Sequence, residues 1–333
     1  MPVSHITHHA LRITKLITNH LLKGNNLIQI LENLSPVFLV IGLGYLSRKL
    51  GFLPDNFIQS ANRLVYYIAI PLLVFSEISR GKFSESFDMR QLAGTLLAVG
   101  LVMLLAIAVA FIMKLPRKTA VTFTQISYHG NLGYVGLAVI FYSLGPAGRV
   151  TASVLAGFLI LMQNILSISL YTFAPSEGRR LTVKSLGKFI ANPIILGTVL
   201  GLISSGSGIS LPGFLDRTLV IVADMALPLA LLIIGGSLRT GVSGRSVQMG
   251  ISTILKLLVL PLTGLILFRL LDVSHALAVP SIILLSSPSA TISYVMSAEM
   301  GGDSDLAAAA VTISTVLSII TYTFWLSVAG NYL

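Results

Sequence analysis

Ten runs of roughly 20 apolar residues, near 30-48, 57-78, 92-113, 120-143, 150-174, 188-205, 212-237, 250-271, 275-299 and 306-329, follow one another with connections of at most about a dozen residues. Each is long enough to cross a bilayer as a helix. A spanning backbone must satisfy its own hydrogen bonds, so the chain is expected to be an all-α membrane protein of ten transmembrane helices. No stretch is left for a soluble domain, a nucleotide fold or an extramembrane enzyme, and function has to lie inside the bundle. Charged residues make up 10% of the chain, against about 25% in soluble domains. Cysteine is absent, which excludes disulfides, thiolate metal sites and cysteine nucleophiles.

The net charge of +10 does not call for nucleic acid, because the basic residues are scattered over short loops. If the loops after spans 1, 3, 5, 7 and 9 share one face, that face holds Arg48, Lys49, Lys114, Arg117, Lys118, Arg179, Arg180, Lys184, Lys188, Arg239 and Arg245. The other face holds Arg80, Lys82, Arg90, Arg149, Arg217 and Arg269, besides three basic residues in the N-terminal segment. By the positive-inside rule the first face is cytoplasmic and both termini lie outside. Residues 1-26 lack the apolar core of a signal peptide. Ile6, Ala10, Ile13, Ile17 and Leu21 fall at helical spacing, which predicts an amphipathic segment lying in the interface. Its histidines, His5, His8, His9 and His20, have no acidic or cysteine partner nearby and read as a solvated polar face, with no metal site.

Helix breakers recur at one offset. Pro36 and Pro193, Gly44 and Gly201, Pro71 and Pro228, and Gly145 and Gly302 lie 157 residues apart, and the same shift carries Asn131 onto Pro288. Residues 27-175 and 188-333 then read as two five-helix copies joined by a cytoplasmic linker, 176-187. Five is odd, so the second copy enters from the opposite face. The result is an inverted five-plus-five repeat, as in many secondary transporters, where corresponding broken helices meet near the midplane.

The repeat makes partners of two interrupted stretches, YHGNLGYVG (128-136) in span 4 and SSPSATIS (286-293) in span 9. A broken helix presents free N–H groups where its second half starts and free carbonyls where its first half ends. Two crossed broken helices are expected to offer two anion-attracting and two cation-attracting ends. Ser287-Pro288 reads as a helix start, with serine as cap and proline in the first turn. Gly130, Gly133 and Gly136 permit the close approach of a crossing. Helix packing by small residues would account for Gly133 and Gly136 but leaves His129 and Asn131 unexplained.

Taken together, Asn131-x-Gly133-x-x-Gly136, YYIAIPLLVF around Pro71, Asn192-Pro193, MALPLALLIIGGSL around Pro228 and SSPSATISYVMSAEMGGDSDLAAAAV resemble the auxin efflux carrier family over about residues 30 to 329. The resemblance implies ten spans, the inverted repeat and a fold similar to the sodium/bile-acid symporters. Organic anions, bound beside the crossing of spans 4 and 9, are its implied substrates. Asn131 matches the family's crossing asparagine and Pro288 its crossing proline. Ala138 and Ile292 depart from the pattern, where the family often has proline and bacterial members often have asparagine. The loop between spans 5 and 6 is short, unlike that of the plant carriers.

The candidate substrate-binding residues are Asn131, His129, Gly130, Gly133, Ser287, Pro288, Ser289 and Thr291. The Asn131 amide can serve an anion and its carbonyl a cation. Ser287, Ser289 and Thr291 offer hydroxyls, though such groups often bond their own helix. Asp224, in span 7, is the clearest intramembrane charge and reads either as a proton or cation carrier or as a hydrogen-bonded acid between helices. His129 is a second coupling candidate, since imidazole ordinarily titrates near neutral pH. Gln163 and Asn164 supply supporting amides, with bridging between helices favoured, and Pro71 and Pro228 shape their helices. Glu77 and Lys256 are placed near span ends, where their side chains would snorkel to water.

These features predict a secondary transporter for a small organic anion, a carboxylate or auxin-like acid, working by alternating access. No cofactor is expected beyond a coupling proton or sodium ion. Its partners are the substrate and the lipid bilayer, with a homodimer left open, and the short-loop family members point to a bacterial cytoplasmic membrane. The alternative is a sodium or proton exchanger of the same fold, although such exchangers usually carry paired carboxylates. An intramembrane enzyme would need a catalytic constellation that is not visible. A channel is separated from a carrier by single-channel conductance.

Overall fold

A computed structural model of the protein describes residues 27–80, 88–144, 146–173, 193–207, 211–238 and 245–330. The expected amphipathic segment 1-26 and the linker 176-187 lie outside these residues, as do Gly145 and Asn192. The described elements are helices: α1 (Leu27–Lys49), α2 (Asp55–Arg80), α3 (Met89–Ile112), α4a (Arg117–Tyr128), α4b (Leu132–Ser143), α5 (Pro146–Phe173), α6 (Pro193–Ser207), α7 (Gly213–Ser237), α8 (Ser246–Leu270), α9a (His275–Leu285), α9b (Ile292–Met300) and α10 (Ser304–Gly330). Seven of them, α1, α2, α3, α5, α7, α8 and α10, are long and apolar enough to cross a membrane. The chain is a multi-pass, all-helical membrane protein.

α3 illustrates how the sequence divides lipid from protein. Gly94, Ala98, Val102, Ala106 and Ala110 recur every fourth residue and are buried, while Leu97, Leu101, Leu104 and Phe111 stay exposed. Small residues let the backbone approach its neighbours, and the large apolar ones suit lipid. Asp88 caps the helix by accepting the Gln91 N–H at 2.9 Å, satisfying one of the donors that a helix start leaves free.

Two pairs of helices pack backbone to backbone. A Cβ on Gly44 of α1 would strike the Leu232 carbonyl of α7, and one on Gly235 of α7 would strike the Ile41 carbonyl of α1. In the other pair, a Cβ on Gly197 of α6 would strike the Pro71 carbonyl of α2, and one on Gly201 would lie 3.2 Å from the Phe75 carbonyl.

The prolines explain the irregular turns. Proline lacks an N–H and so frees the carbonyl four residues earlier. Pro71 follows a π-helical turn at Val65–Ala69 in α2, and Pro261 follows one at Leu255–Val259 in α8. Pro261 leaves the Leu257 carbonyl without its helical donor, and the Trp325 indole N–H fills the gap at 2.8 Å. In α7 the affected residue is Asp224, where the segments Gly213–Asp224 and Ala226–Ser237 part ahead of Pro228.

The ends of the bundle are tied by charge. At one end Arg80 of α2 pairs with Asp216 of α7 at 2.6 Å. At the other, Asp303, 4% exposed, pairs with Arg245, accepts the Thr119 hydroxyl at 3.0 Å and caps α10 through the Leu306 N–H at 3.2 Å. Its own N–H donates to Thr122 Oγ1 at 2.8 Å.

Candidate functional site at the two helix breaks

Both interrupted stretches are unwound, and they meet. Gly130 and Ser289 form an antiparallel bridge. In it the Asn131 N–H donates to the Pro288 carbonyl at 2.7 Å and the Ala290 N–H to the His129 carbonyl at 2.9 Å. Residues buried away from water thus exchange strand-like hydrogen bonds that their helices no longer supply. The sequence placed the two breaks as partners, and Asn131 meets the residue that lies 157 positions further along.

The start of α9b differs from the expectation. It begins at Ile292, with Thr291 before it making no side-chain cap. Ser287 and Pro288 therefore do not start a helix. The Ser287 hydroxyl turns back to the Leu284 carbonyl at 2.7 Å, and Pro288 contributes its carbonyl to the bridge, where its missing N–H costs nothing.

Gln163 of α5 is the bridge that its amide suggested. Its Oε1 accepts the Gly130 N–H at 3.2 Å and its Nε2 donates to the Tyr128 carbonyl at 3.3 Å. One side chain thus spans the α4 break, while Asn164 beside it is also buried. Ser289 works similarly from α9: its hydroxyl donates to the Ile126 carbonyl at 2.8 Å, and its N–H donates to Ser314 Oγ of α10 at 3.0 Å. His129 points to α5, its Nδ1 lying 3.0 Å from the Ser167 hydroxyl, which also meets the Tyr128 hydroxyl at 2.8 Å.

Not every predicted residue gathers here. A Cβ on Gly133 would face Ile194 of α6 and Ile70 of α2, whereas one on Gly136 would face Leu284 and Ser287 of α9. Thr291 is half-buried, and Asp224 and Pro228 are exposed on α7. Glu77, half-buried, stands within electrostatic reach of Arg149, Arg80 and Asp224. Pro71 is buried against Gly197.

Lys256 overturns its expectation. It does not snorkel: it is 0% exposed, and its ammonium donates to the carbonyl of Leu285, the last residue of α9a, at 2.8 Å. The helix starts at Ser246, four residues before the expected boundary, so Lys256 sits ten residues in, or about 15 Å along the axis at 1.5 Å per residue. That is about half the hydrocarbon thickness, too deep for its side chain to reach water through α8's own end. A Cβ on Gly130 would strike Ser287 Oγ and lie 3.3 Å from the Lys256 ammonium, so the glycine sits in close contact with the α9 break and beside the lysine.

The balance of donors and acceptors is uneven. The carbonyl ends of the first halves are occupied by Gln163, Ser289 and Lys256. At the starts of the second halves, the N–H groups of Gly133, Tyr134, Thr291 and Ile292 have no acceptor among the described residues. The amide nitrogen of Asn131, a residue 5% exposed, is likewise unpartnered among the described residues. At the expected cation-attracting ends, the protein's own donors engage the carbonyls of Ile126, Tyr128 and Leu285.

Residues 29–185 and 175–326 match the family model described as membrane transport protein. The chain belongs to this family, that of the auxin efflux carriers. It is 26% identical over 296 residues to a protein of Rhizobium meliloti (strain 1021) named "Putative malonate transporter", covering 86% of this chain and 92% of that one. It is also 25% identical over 308 residues to a protein named "Uncharacterized transporter" in Methanothermobacter thermautotrophicus, covering 88% and 96%. An Escherichia coli (strain K12) protein, also named as an uncharacterized transporter, is 24% identical over 242 residues, covering 70% and 76%.

In this auxin efflux carrier homologue, the sequence reading set Lys256 at a span end, away from the site, and did not foresee the Asp303–Arg245 pair. The signal for the first was present, since a lysine inside a 25-residue apolar helix is by itself a candidate functional residue. The second was hidden inside GGDSDL, because no local pattern announces a partner 58 residues away.

Proposed function

We propose that the protein is a secondary transporter for a small organic anion, a carboxylate, which binds where the breaks of α4 and α9 cross and passes by alternating access. The observation that carries this reading is the surplus of donors: Asn131 Nδ2 and four leading amides are unengaged among the described residues while the carbonyls of Ile126, Tyr128 and Leu285 are capped. Donors without acceptors suit an anion. The same surplus argues against a sodium exchanger, which would need oxygen ligands at the crossing. The Rhizobium meliloti relative's name fits a small dicarboxylate as cargo.

The fold that supports such a carrier is an inverted five-plus-five repeat of ten spans, similar to the sodium/bile-acid symporters. Two observations favour it. Gly44 against Leu232 and Gly201 against Phe75 are one contact made twice with the halves exchanged. Asn131 and Pro288, repeat mates, are hydrogen-bonded to each other, as residues flanking a pseudo-two-fold axis would be. The carrier sits in a bacterial cytoplasmic membrane with both termini outside. One bundle holding the two breaks rocks against the other helices.

Proton coupling belongs to Asp224 or His129. Asp224 is exposed beside Glu77, away from the breaks, so its assignment rests on transport: if Asp224→Asn leaves the pH dependence of uptake unchanged, the assignment passes to His129. The reading as a whole is tested by counterflow of radiolabelled malonate, malate and acetate into proteoliposomes. Saturable exchange lost in Asn131→Ala supports it, and absence of exchange for every carboxylate tried overturns it.

A further inference from the structure

We infer that Lys256 supplies the positive charge that holds the substrate's carboxylate at the crossing, an inference that rests on the anion-carrier reading above. A buried ammonium has three donors. The Lys256 ammonium uses one of them, on the neutral Leu285 carbonyl. The ion pairs of the described residues, Arg48–Asp55, Arg80–Asp216 and Arg245–Asp303, leave it out. A charge taken from water into the interior is expensive unless an opposite charge compensates it, and one carbonyl dipole is a partial remedy. Among the described residues, the crossing therefore holds a positive charge that the protein does not pair with a carboxylate of its own.

Position ties this charge to the substrate. The ammonium lies 3.3 Å from where a Cβ on Gly130 would stand, and the next residue is Asn131, whose amide nitrogen has no partner among the described residues. The groups set beside it are Gly130 at the α4 break, with Ser287 packed against that glycine, and the Leu285 carbonyl at the end of α9a, and His129 stands within electrostatic reach. Of these only His129 is ionisable, and its Nδ1 is taken up with Ser167. An ammonium and an amide N–H on one small backbone crossing match the two oxygens of a carboxylate. The lysine also occupies the carbonyl end of α9a, where a bound metal cation would otherwise be attracted. The carrier thus has its cation built in, and transport proceeds without sodium.

The test compares wild type, Lys256→Gln and Lys256→Arg in proteoliposomes. The probes are radiolabelled malonate, malate and acetate, with the uncharged amide of each as competitor. Glutamine can still donate to the Leu285 carbonyl but carries no charge. The expected result is a half-saturation concentration raised by at least about 30-fold for the carboxylate in Lys256→Gln, as when one partner of a buried charge pair is removed. Inhibition by the matching amide should stay within about threefold of wild type, and replacing sodium by choline should leave wild-type uptake unchanged. Equal weakening of carboxylate and amide, or an unchanged carboxylate affinity, would show a helix cap and overturn the inference while leaving the anion-carrier reading intact. No exchange of any carboxylate by the wild type would overturn both. Chloride competing as well as the carboxylate at equal concentration would also overturn it, because the charge would then select no carboxylate. If Lys256→Gln does not fold, Lys256→Arg keeps the charge and should keep the preference for carboxylate over amide; loss of that preference refutes the assignment.

Discussion

Replacing Gln163 by methionine should destabilise the protein by about 2–4 kcal/mol. The side chain keeps its length and nearly its volume, so packing alone predicts less than about 1.5 kcal/mol. What disappears is the double bridge over the α4 break, the acceptor for the Gly130 N–H at 3.2 Å and the donor to the Tyr128 carbonyl at 3.3 Å. Both backbone groups are buried and have no water to turn to. Each such orphan costs about 1–3 kcal/mol, and the long distances put these two in the lower half of that range. The measurement is reversible unfolding in mixed micelles, followed by the fluorescence of Trp325, the single tryptophan of the chain. It is 3% exposed and bonded to α8, so it reports the loss of the α8–α10 contact. A loss under about 1 kcal/mol would mean that Gln163 merely packs, and that the break is held by the α4–α9 bridge alone.

Other outcomes follow from the same contacts. Gly44→Ala should cost about 1–3 kcal/mol, because its Cβ would meet the backbone of Leu232, whereas Gly42→Ala, with nothing within 4 Å, should be neutral or stabilising; equal effects in the same titration would refute the close α1–α7 contact. Asp303→Asn should cost about 1–2 kcal/mol, discounted because Arg245 is 40% exposed and can turn to water. Asp303→Ala should cost about 1 kcal/mol more through the lost α10 cap, and an alanine variant no worse than the asparagine one would remove the capping role. In this cysteine-free chain, Ser274→Cys should react with an impermeant maleimide on intact cells and Phe52→Cys only after lysis, the reverse pattern inverting the topology.

Much of the candidate site was legible because breakers are conspicuous in an apolar helix. Glycines, an asparagine and a proline at a constant offset marked both breaks, and Gln163 announced itself as an amide without water. The detailed chemistry was less legible. Ser287 and Pro288 look locally like a helix start, but the backbone bridge to α4 draws that segment out, and a proline with no N–H loses nothing there. Lys256 looked peripheral because an error of four residues in the start of α8 shifts apparent depth by about 6 Å. Asp224 looked central by count, yet Pro228 frees its carbonyl and the side chain ends up exposed.

By itself the sequence determined the all-helical, multi-pass architecture, because apolar runs in lipid leave the backbone no other way to satisfy itself. It also determined where the helices break, because proline and glycine act on their own turn. Only the tertiary structure decided which ends of the broken helices are filled. Caps from Gln163, Ser289 and Lys256 come from α5, α9 and α8, far away in the chain. The charge and hydrogen-bonding capacity left at the crossing is a sum over all of them, and no local pattern contains it.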